Sequence, residues 1–364
     1  MKLSVHKPDL ILLGVVFALL LFGLLMIFNA SPVTSLRDFG DNLYLIRWQI
    51  LWSILGLVAA SIVFIFPYTF WQKISPLIFI SSLVLLCAVL IPAFGLKVYG
   101  AQRWLSFGWI GFQPAEFAKL AYIIYVSSVL ARDIKIKHFL IVTAIFAGIL
   151  LYQKDLGTTV VLVASGLAIL FASGARLLYF FLLVPAFAAI GSALVFFTDY
   201  RKARFLCFLN PLADQQGVCY HIYQSLLAIG SGGVFGLGLG QSRQKYGFIP
   251  EVATDSIFDV IGNELGFIGA LVLISTLLLL IYRGFKIAKN APDKFSYLLV
   301  TGITTWVGIQ ALINIAGLSA LLPLVGVPLP FISYGGSSLI ATLLAVAILL
   351  NISRYTKHDS INFR

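Results

Sequence analysis

Charge is scarce in this chain. Lys, Arg, Asp and Glu make up 11% of its 364 residues, while apolar side chains make up 60%. Soluble domains carry about one-quarter charged residues. A water-soluble fold of this length would leave much of that apolar surface wet, and lipid is the solvent that removes the problem. Cysteine is also rare: Cys87 falls inside an apolar run, and Cys207 and Cys219 are the other two. No cluster of metal-ligating side chains is visible, and low-complexity tracts and tandem repeats are absent. The net charge of +11 does not come as a basic stripe interleaved with aromatics, which argues against nucleic acid as a partner.

What is present is a series of apolar runs, each about 20 residues or slightly less, the length that crosses a bilayer. They cover residues 10–29, 48–66, 75–93, 116–132, 138–152, 158–174, 177–197, 257–282, 297–320 and 335–353. The expected fold is therefore all-α: a polytopic helical membrane protein with about ten spans, read as one domain over 1–364. The first run is too long, and lacks the small-residue cleavage site, to be a removable signal peptide.

Lys and Arg set the expected orientation. With the N-terminus inside, cytoplasmic segments carry Lys2, Lys7, Lys73, Arg132, Lys135, Lys137, Arg176, Arg283, Lys286, Lys289, Lys294, Arg354, Lys357 and Arg364. The short outer loops carry only Arg37, Arg47, Lys97, Arg103 and Lys154, so both termini are expected in the cytoplasm. Residues 198–254 then form one large outer loop, in which Cys207 and Cys219 are able to pair, although spacing alone fixes no geometry. Its apolar Ile222, Leu226, Leu227 and Ile229 suit one side of a helix lying on the membrane, either packing the bundle or covering a cleft. The glycines from Gly230 to Gly240 bring backbone N–H groups to an anion or let helices pack closely. They follow neither Walker nor dinucleotide spacing.

Acids at membrane depth are costly and persist where they pair or line a wet cavity. Glu116 and Lys119 are three apart and share a helical face, and Asp155 is placed to join them as a structural triad or as catalytic groups. Asp255 falls where the loop turns into the eighth span. There it, or Thr254, serves as an N-cap, or its carboxylate faces the covered cleft near Arg243 and Lys245. Asp259 is one turn deeper on the same face, so that the pair raises one pKa.

Five strings of residues resemble the SEDS family (FtsW, RodA and SpoVE). They are Gly100-Ala-Gln-Arg-Trp104 with Phe112-Gln-Pro-Ala-Glu116-Phe-Ala-Lys119; Lys154-Asp155-Leu-Gly-Thr158; Tyr223-Gln-Ser-Leu-Leu-Ala-Ile-Gly-Ser-Gly-Gly233; Pro250-Glu251 with Thr254-Asp255 and Gly262-Asn-Glu264; and Leu329-Pro-Phe-Ile-Ser-Tyr-Gly-Gly-Ser-Ser338. The continuation Gly240-Gln-Ser-Arg-Gln-Lys245 is closer to the FtsW and SpoVE branch. Departures are His221, Ala253, Ser256, Asn263 and the extra acid Asp259.

The resemblance implies an inverting peptidoglycan glycosyltransferase of cell-wall biogenesis, in septal rather than shape-determining synthesis. Such an enzyme polymerises lipid II outside the bacterial cytoplasmic membrane and works with a class B penicillin-binding protein. Asp255 matches the family's essential Asp and is the expected base. Arg47, Arg103 and Lys119, or a divalent cation (Mg2+ or Mn2+), are expected to neutralise the pyrophosphate, with Trp104 stacking on sugar or lipid. Further substrate contacts are implied for Glu116, Asp155, Gln224, Ser225, Lys245, Ser333 and Tyr334. The competing readings are a flippase for lipid-linked precursors, which would use the intramembrane Glu116, Lys119 and Asp155, and a division scaffold without chemistry.

Overall fold

The computed structural model describes residues 6–98, 101–107 and 110–356; Lys2, Gly100, Lys357 and Arg364, named above from the sequence, lie outside them. The chain begins with α1 (Leu10–Ala30), α2 (Pro32–Phe39), α3 (Tyr44–Ile65), α4 (Tyr68–Lys73) and α5 (Ser75–Ala88). An antiparallel sheet follows, with β1 (Gly95–Val98), β2 (Ala101–Phe107) and β3 (Ile110–Phe112) in sequential order. Then come α6 (Pro114–Arg132), α7 (Ile136–Tyr152), α8 (Leu156–Ala172) and α9 (Leu177–Phe196). The short α10 (Asp199–Leu209) and α11 (Tyr220–Ser231) precede α12 (Ile257–Lys289), α13 (Lys294–Leu318) and α14 (Gly336–Ser353).

Seven of these helices, α1, α3, α6, α9, α12, α13 and α14, are long and apolar enough to cross a membrane, and α5, α7 and α8 are shorter apolar helices. Together they coincide with the ten runs read from the sequence. The chain is a multi-pass membrane protein, nearly all helical. Not anticipated are the small sheet over 95–112 and the short helices α2, α4 and α10, all too short to announce themselves against the apolar runs around them.

Helix starts follow local chemistry. The Asp9 side chain accepts from Leu12 N ahead of α1, Asp155 accepts from Thr158 N ahead of α8, and Asp293 with Ser296 forms a capping box ahead of α13. The core lies around α6, α13 and α14, where Tyr122, Leu298, Ile303, Trp306 and Leu349 are fully buried. α3 turns Ile50, Ile54, Val58 and Ile62 outward, as a lipid-facing surface requires, and α9 buries none of its residues. The first and last described segments meet at one end, where His6 N donates to the Arg354 carbonyl and Asp9 N to Ser353 Oγ. The sheet, α10, α11 and the 319–335 segment sit at the other, the far end.

The glycine-rich stretch packs against a break in α12. At Gly266 the backbone leaves the helix (φ 65°, ψ −164°), about 14 Å along from its start. The orphaned carbonyls of Asn263 and Glu264 accept from Leu237 N and Gly238 N, and Phe267 N and Ile268 N donate to Gly233 and Val234. A helix broken in a membrane survives only if its polar groups are satisfied this way. A Cβ at Gly266 would lie 2.7 Å from the Val234 carbonyl, in a backbone region that is essentially glycine-only. Gly266→Ala is therefore expected to cost at least about 1–3 kcal/mol. Thermal unfolding in detergent checks this, and an unchanged Tm would mean that the break relaxes freely.

Candidate functional site

Asp255 stands at the far end, two residues before α12. The N-cap of that helix is Ser256, which makes no side-chain cap bond. Thr254 does not cap either, since its Oγ1 donates to Glu251 Oε2 at 2.9 Å. The capping role expected for Thr254 or Asp255 is thus not realised, and among the described residues no protein donor is bonded to the Asp255 carboxylate. Its backbone is firmly held: the Asp255 carbonyl accepts from Asn314 Nδ2 at 2.8 Å, and the same amide donates to Val327 at 2.8 Å. Gly326 backs the carboxylate so closely that a Cβ there would lie 3.0 Å from Asp255 Oδ2. Burial, with the nearby charges of Glu251 and Asp155, pushes Asp255 up to about 6 against the pull of Arg204 and Arg103. The raising carboxylates are Glu251 and Asp155 rather than the expected Asp259, whose Oδ2 accepts from Ser225 Oγ at 2.6 Å.

The charges of two arginines are felt at this carboxylate. Arg103 is presented by β2, whose neighbour Trp104 pairs with Leu96 in the sheet and covers Gly111. Its Nη2 donates to the Lys154 carbonyl at 2.5 Å, which ties the sheet to the start of α8. Arg204 comes from α10. His221, on α11, brings Nε2 to within 2.7 Å of Ser256 Oγ. Burial, then the Arg204 charge, pushes His221 down to about 4, so it is neutral at pH 7.

Several expected site residues are engaged elsewhere. Lys119 pairs with Glu116 at 2.9 Å and with Gln310 Oε1 at 2.7 Å, both charged side chains being 2% exposed. Asp155 does not join them, because its carboxylate is taken by Thr158 N and Thr158 Oγ1 at 3.1 and 3.0 Å. Arg47 lies on the surface and pairs with Asp41. Lys245 is not beside Asp255: its Nζ meets Glu264 Oε1 at 2.9 Å and Asn29 Oδ1 at 2.7 Å. Glu264 also accepts from Asn29, Gly240 N and Ser242 N, so this buried acid staples the loop to α1 and α12. Arg243 is exposed.

On α11 the buried face is Ile222, Ser225 and Ala228, rather than the expected line through Leu226 and Leu227. Gln224 is half-buried on the same helix. Ser333 Oγ accepts from Leu329 N, and Tyr334 N donates to the Ala253 carbonyl at 2.8 Å, which brings that motif to the neighbourhood of Asp255. Sequence reasoning passed over Arg204, because within the large loop it weighed only Arg243 and Lys245 as cations near Asp255. Its available signal was its place one turn before Cys207, and Cys207 and Cys219 are bridged.

Comparison with known proteins identifies the family and the fold. The family model of the FtsW, RodA and SpoVE cell cycle proteins matches residues 9–358. A protein of Geobacter metallireducens named probable peptidoglycan glycosyltransferase FtsW is 40% identical, over 97% of this chain and 96% of its own. Stage V sporulation protein E of Bacillus subtilis is 38% identical, over 97% and 98%. Among solved structures, a chain of a peptidoglycan synthase complex, studied for its coordination of polymerization and crosslinking, superposes with a TM-score of 0.80. It is 27% identical, over 95% of this chain and 98% of that one. The rod shape determining protein RodA of Thermus thermophilus gives a TM-score of 0.72 at 28% identity, over 97% and 98%. With nearly its whole length matched in sequence and in fold, the chain belongs to the FtsW, RodA and SpoVE family of cell cycle proteins.

Proposed function

We infer that this protein is a peptidoglycan glycosyltransferase that polymerises lipid II at the outer face of the bacterial cytoplasmic membrane. The far end is then the outer end and both termini are cytoplasmic, in keeping with the Lys and Arg bias of the sequence. The observation that carries the reading is a carboxylate held at one end of the bundle, backed by Gly326, with no protein donor on it among the described residues and with the charges of Arg204 and Arg103 felt there. In the reaction the acceptor's 4-hydroxyl oxygen bonds to the anomeric carbon of the donor as the bond to pyrophosphate breaks. The bonding pair leaves with the pyrophosphate, and the hydroxyl proton passes to Asp255. A single displacement inverts the anomeric centre. Arg103 supplies positive charge at the same end.

A divalent cation, Mg2+ or Mn2+, is proposed to arrive with the pyrophosphate. Among the described residues no three His, Cys, Asp or Glu side chains converge on an ion, so no side chain of this chain is assigned as its ligand. The partner is proposed to be a class B penicillin-binding protein, consistent with the synthase complex to which the fold is similar. Cell division is the proposed role, on the sequence from Gly240 to Lys245.

The test is polymerisation of labelled lipid II by purified protein together with its penicillin-binding protein, the transpeptidase being blocked. Glycan chains are expected. No polymer, with lipid II transported across vesicles instead, would hand the protein to the flippase reading, which needs access from both ends. A base must be deprotonated to work, and Asp255 is pushed up to about 6. Polymerisation kcat/KM is accordingly expected to rise with pH through an inflection near that value and to level off above it. An inflection near 4, the ordinary carboxylate range, would remove Asp255 from that role.

A further inference from the structure

Arg204 has no part in the reaction as drawn so far, yet its helix is tied by a disulfide to α11 at the same end as Asp255. α10 is short, and Cys207 is its one buried residue. Burial alone therefore does little to hold this helix. Phe205 sets its ring edge-on against Phe196 of α9, and the bridge from Cys207 to Cys219, the N-cap of α11, with Cα atoms 5.2 Å apart, ties the helix to α11. The bridge is buried with Ile222 and packed by Ala320.

Both helices joined by that bridge lead to Asp255. Two residues after Cys219, His221 touches Ser256, the neighbour of Asp255. One turn before Cys207, Arg204 Nη1 reaches the Leu324 carbonyl at 3.5 Å, two residues ahead of the glycine that backs the carboxylate. The Arg204 guanidinium lies 4.5 Å over the Tyr200 ring, which leaves the edge of the plane available. Among the described residues it has no carboxylate within ion-pair distance, in contrast to Lys119, Lys245 and Arg47. Of its five N–H donors, one meets a protein acceptor, and that at the limit of a hydrogen bond. Its charge is nevertheless felt at both Asp255 and His221. An arginine with unused donors, held half-buried at the same end as the base, suits a phosphate, two of whose oxygens a planar guanidinium can bind side by side.

We propose that Arg204 binds the departing lipid pyrophosphate and that the Cys207–Cys219 bridge is the positioning element that keeps it there. The proposal rests on the glycosyltransferase reading above. As the anomeric carbon–oxygen bond breaks, its electron pair moves onto the pyrophosphate, and Arg204 donates to the oxygens that gain this charge. The proton of the incoming hydroxyl goes to Asp255, so the two groups act on opposite sides of one displacement. A bridge that organises the site needs an oxidising surrounding, which the outer face supplies.

The experiment compares wild type, Arg204→Ala, Arg204→Lys and the paired Cys207→Ser, Cys219→Ser variant. Initial polymerisation rates over a range of lipid II concentrations are read alongside inhibition by polyprenyl pyrophosphate. Arg204→Ala is expected to lower kcat/KM by about 10²-fold, as loss of one preorganised donor to developing charge does. It is also expected to weaken inhibition by polyprenyl pyrophosphate, with Arg204→Lys recovering part of both. The paired serine variant, or wild type treated with reductant, is expected to move the same two readouts in the same direction by a smaller factor. Wild-type kcat/KM and wild-type inhibition in Arg204→Ala would overturn the assignment. The same result in the serine variant would overturn the role of the bridge. If Arg204→Ala does not fold, Arg204→Lys and the serine variant decide by the same readouts. Should wild type make no polymer at all, the underlying reading fails instead. Direct binding of polyprenyl pyrophosphate to wild type and to Arg204→Lys then still tests Arg204: equal affinity refutes it, and weaker binding by the variant supports it.

Discussion

Polymerisation by Asp255→Asn is expected to fall by about 10²- to 10⁴-fold, the range that a positioned general base contributes. Asparagine keeps the shape of the side chain and leaves the bonds from Asn314 to the Asp255 and Val327 carbonyls in place. What it removes is the proton acceptor, and no neighbour is free to replace it. Asp155 is committed to the start of α8, Asp259 is bonded to Ser225, and Glu251 is exposed and bonded to Thr254. The fold should not suffer. Because the folded-state value lies near 6 rather than at the ordinary 3.8, the fold resists the charged form of Asp255. The associated stability is fully present below pH 3.8 and is lost as pH rises through about 6. At pH 7 the neutral amide is therefore expected to give a Tm equal to or above that of wild type. Lost polymerisation with an undiminished Tm is the signature of a residue kept for chemistry. A matching fall in both would make Asp255 a structural residue, and full activity would pass the role of base to Glu251.

The spans were legible because a bilayer sets their length, and apolar runs of that length have few other ways to be buried in a chain with so little charge. Local pairs were legible for a similar reason: Glu116 and Lys119, three apart on a helix, meet as their spacing demands. The reading failed where a local bond competed with a distant one. Asp155 looked like a third member of that pair, but Thr158 is three residues away and takes the carboxylate first. It failed again where partners are far apart in sequence. Nothing in the spacing of Lys245, Glu264 and Asn29 announces their cluster, which exists because the glycine-rich loop docks on the break in α12. The bridge was left open by spacing; the fold brings Cys207 of α10 and Cys219 at the start of α11 to a Cα separation of 5.2 Å and joins them. Arg103 was named from its motif, but the sheet that presents it was not foreseen.

Lys119→Met is expected to destabilise the protein by about 3–5 kcal/mol, the cost of breaking a buried ion pair by removing one partner. The ammonium lies between Glu116 and Gln310 and 4.9 Å above the Trp306 ring, and both members of the pair are 2% exposed. Glu116 Oε2 already lacks a partner, so loss of the lysine strands a carboxylate where water does not reach it. The damage should travel. Gln310 Oε1 also accepts from Trp306 Nε1, while its Nε2 donates to the Pro328 carbonyl. One turn along α13, Asn314 holds Val327 and Asp255 together. The pair thus lies beneath the segment that backs Asp255, which is a supporting position and not the pyrophosphate contact expected from the sequence. Replacing both partners, as Glu116→Gln with Lys119→Met, removes the stranded charge and is expected to recover most of the lost stability. Thermal unfolding of the single and double variants in detergent measures the difference. A small loss in the single variant would show that the Glu116–Lys119 pair contributes little to stability. A double variant as unstable as the single would assign the stability to the packing of the lysine stem against Trp306.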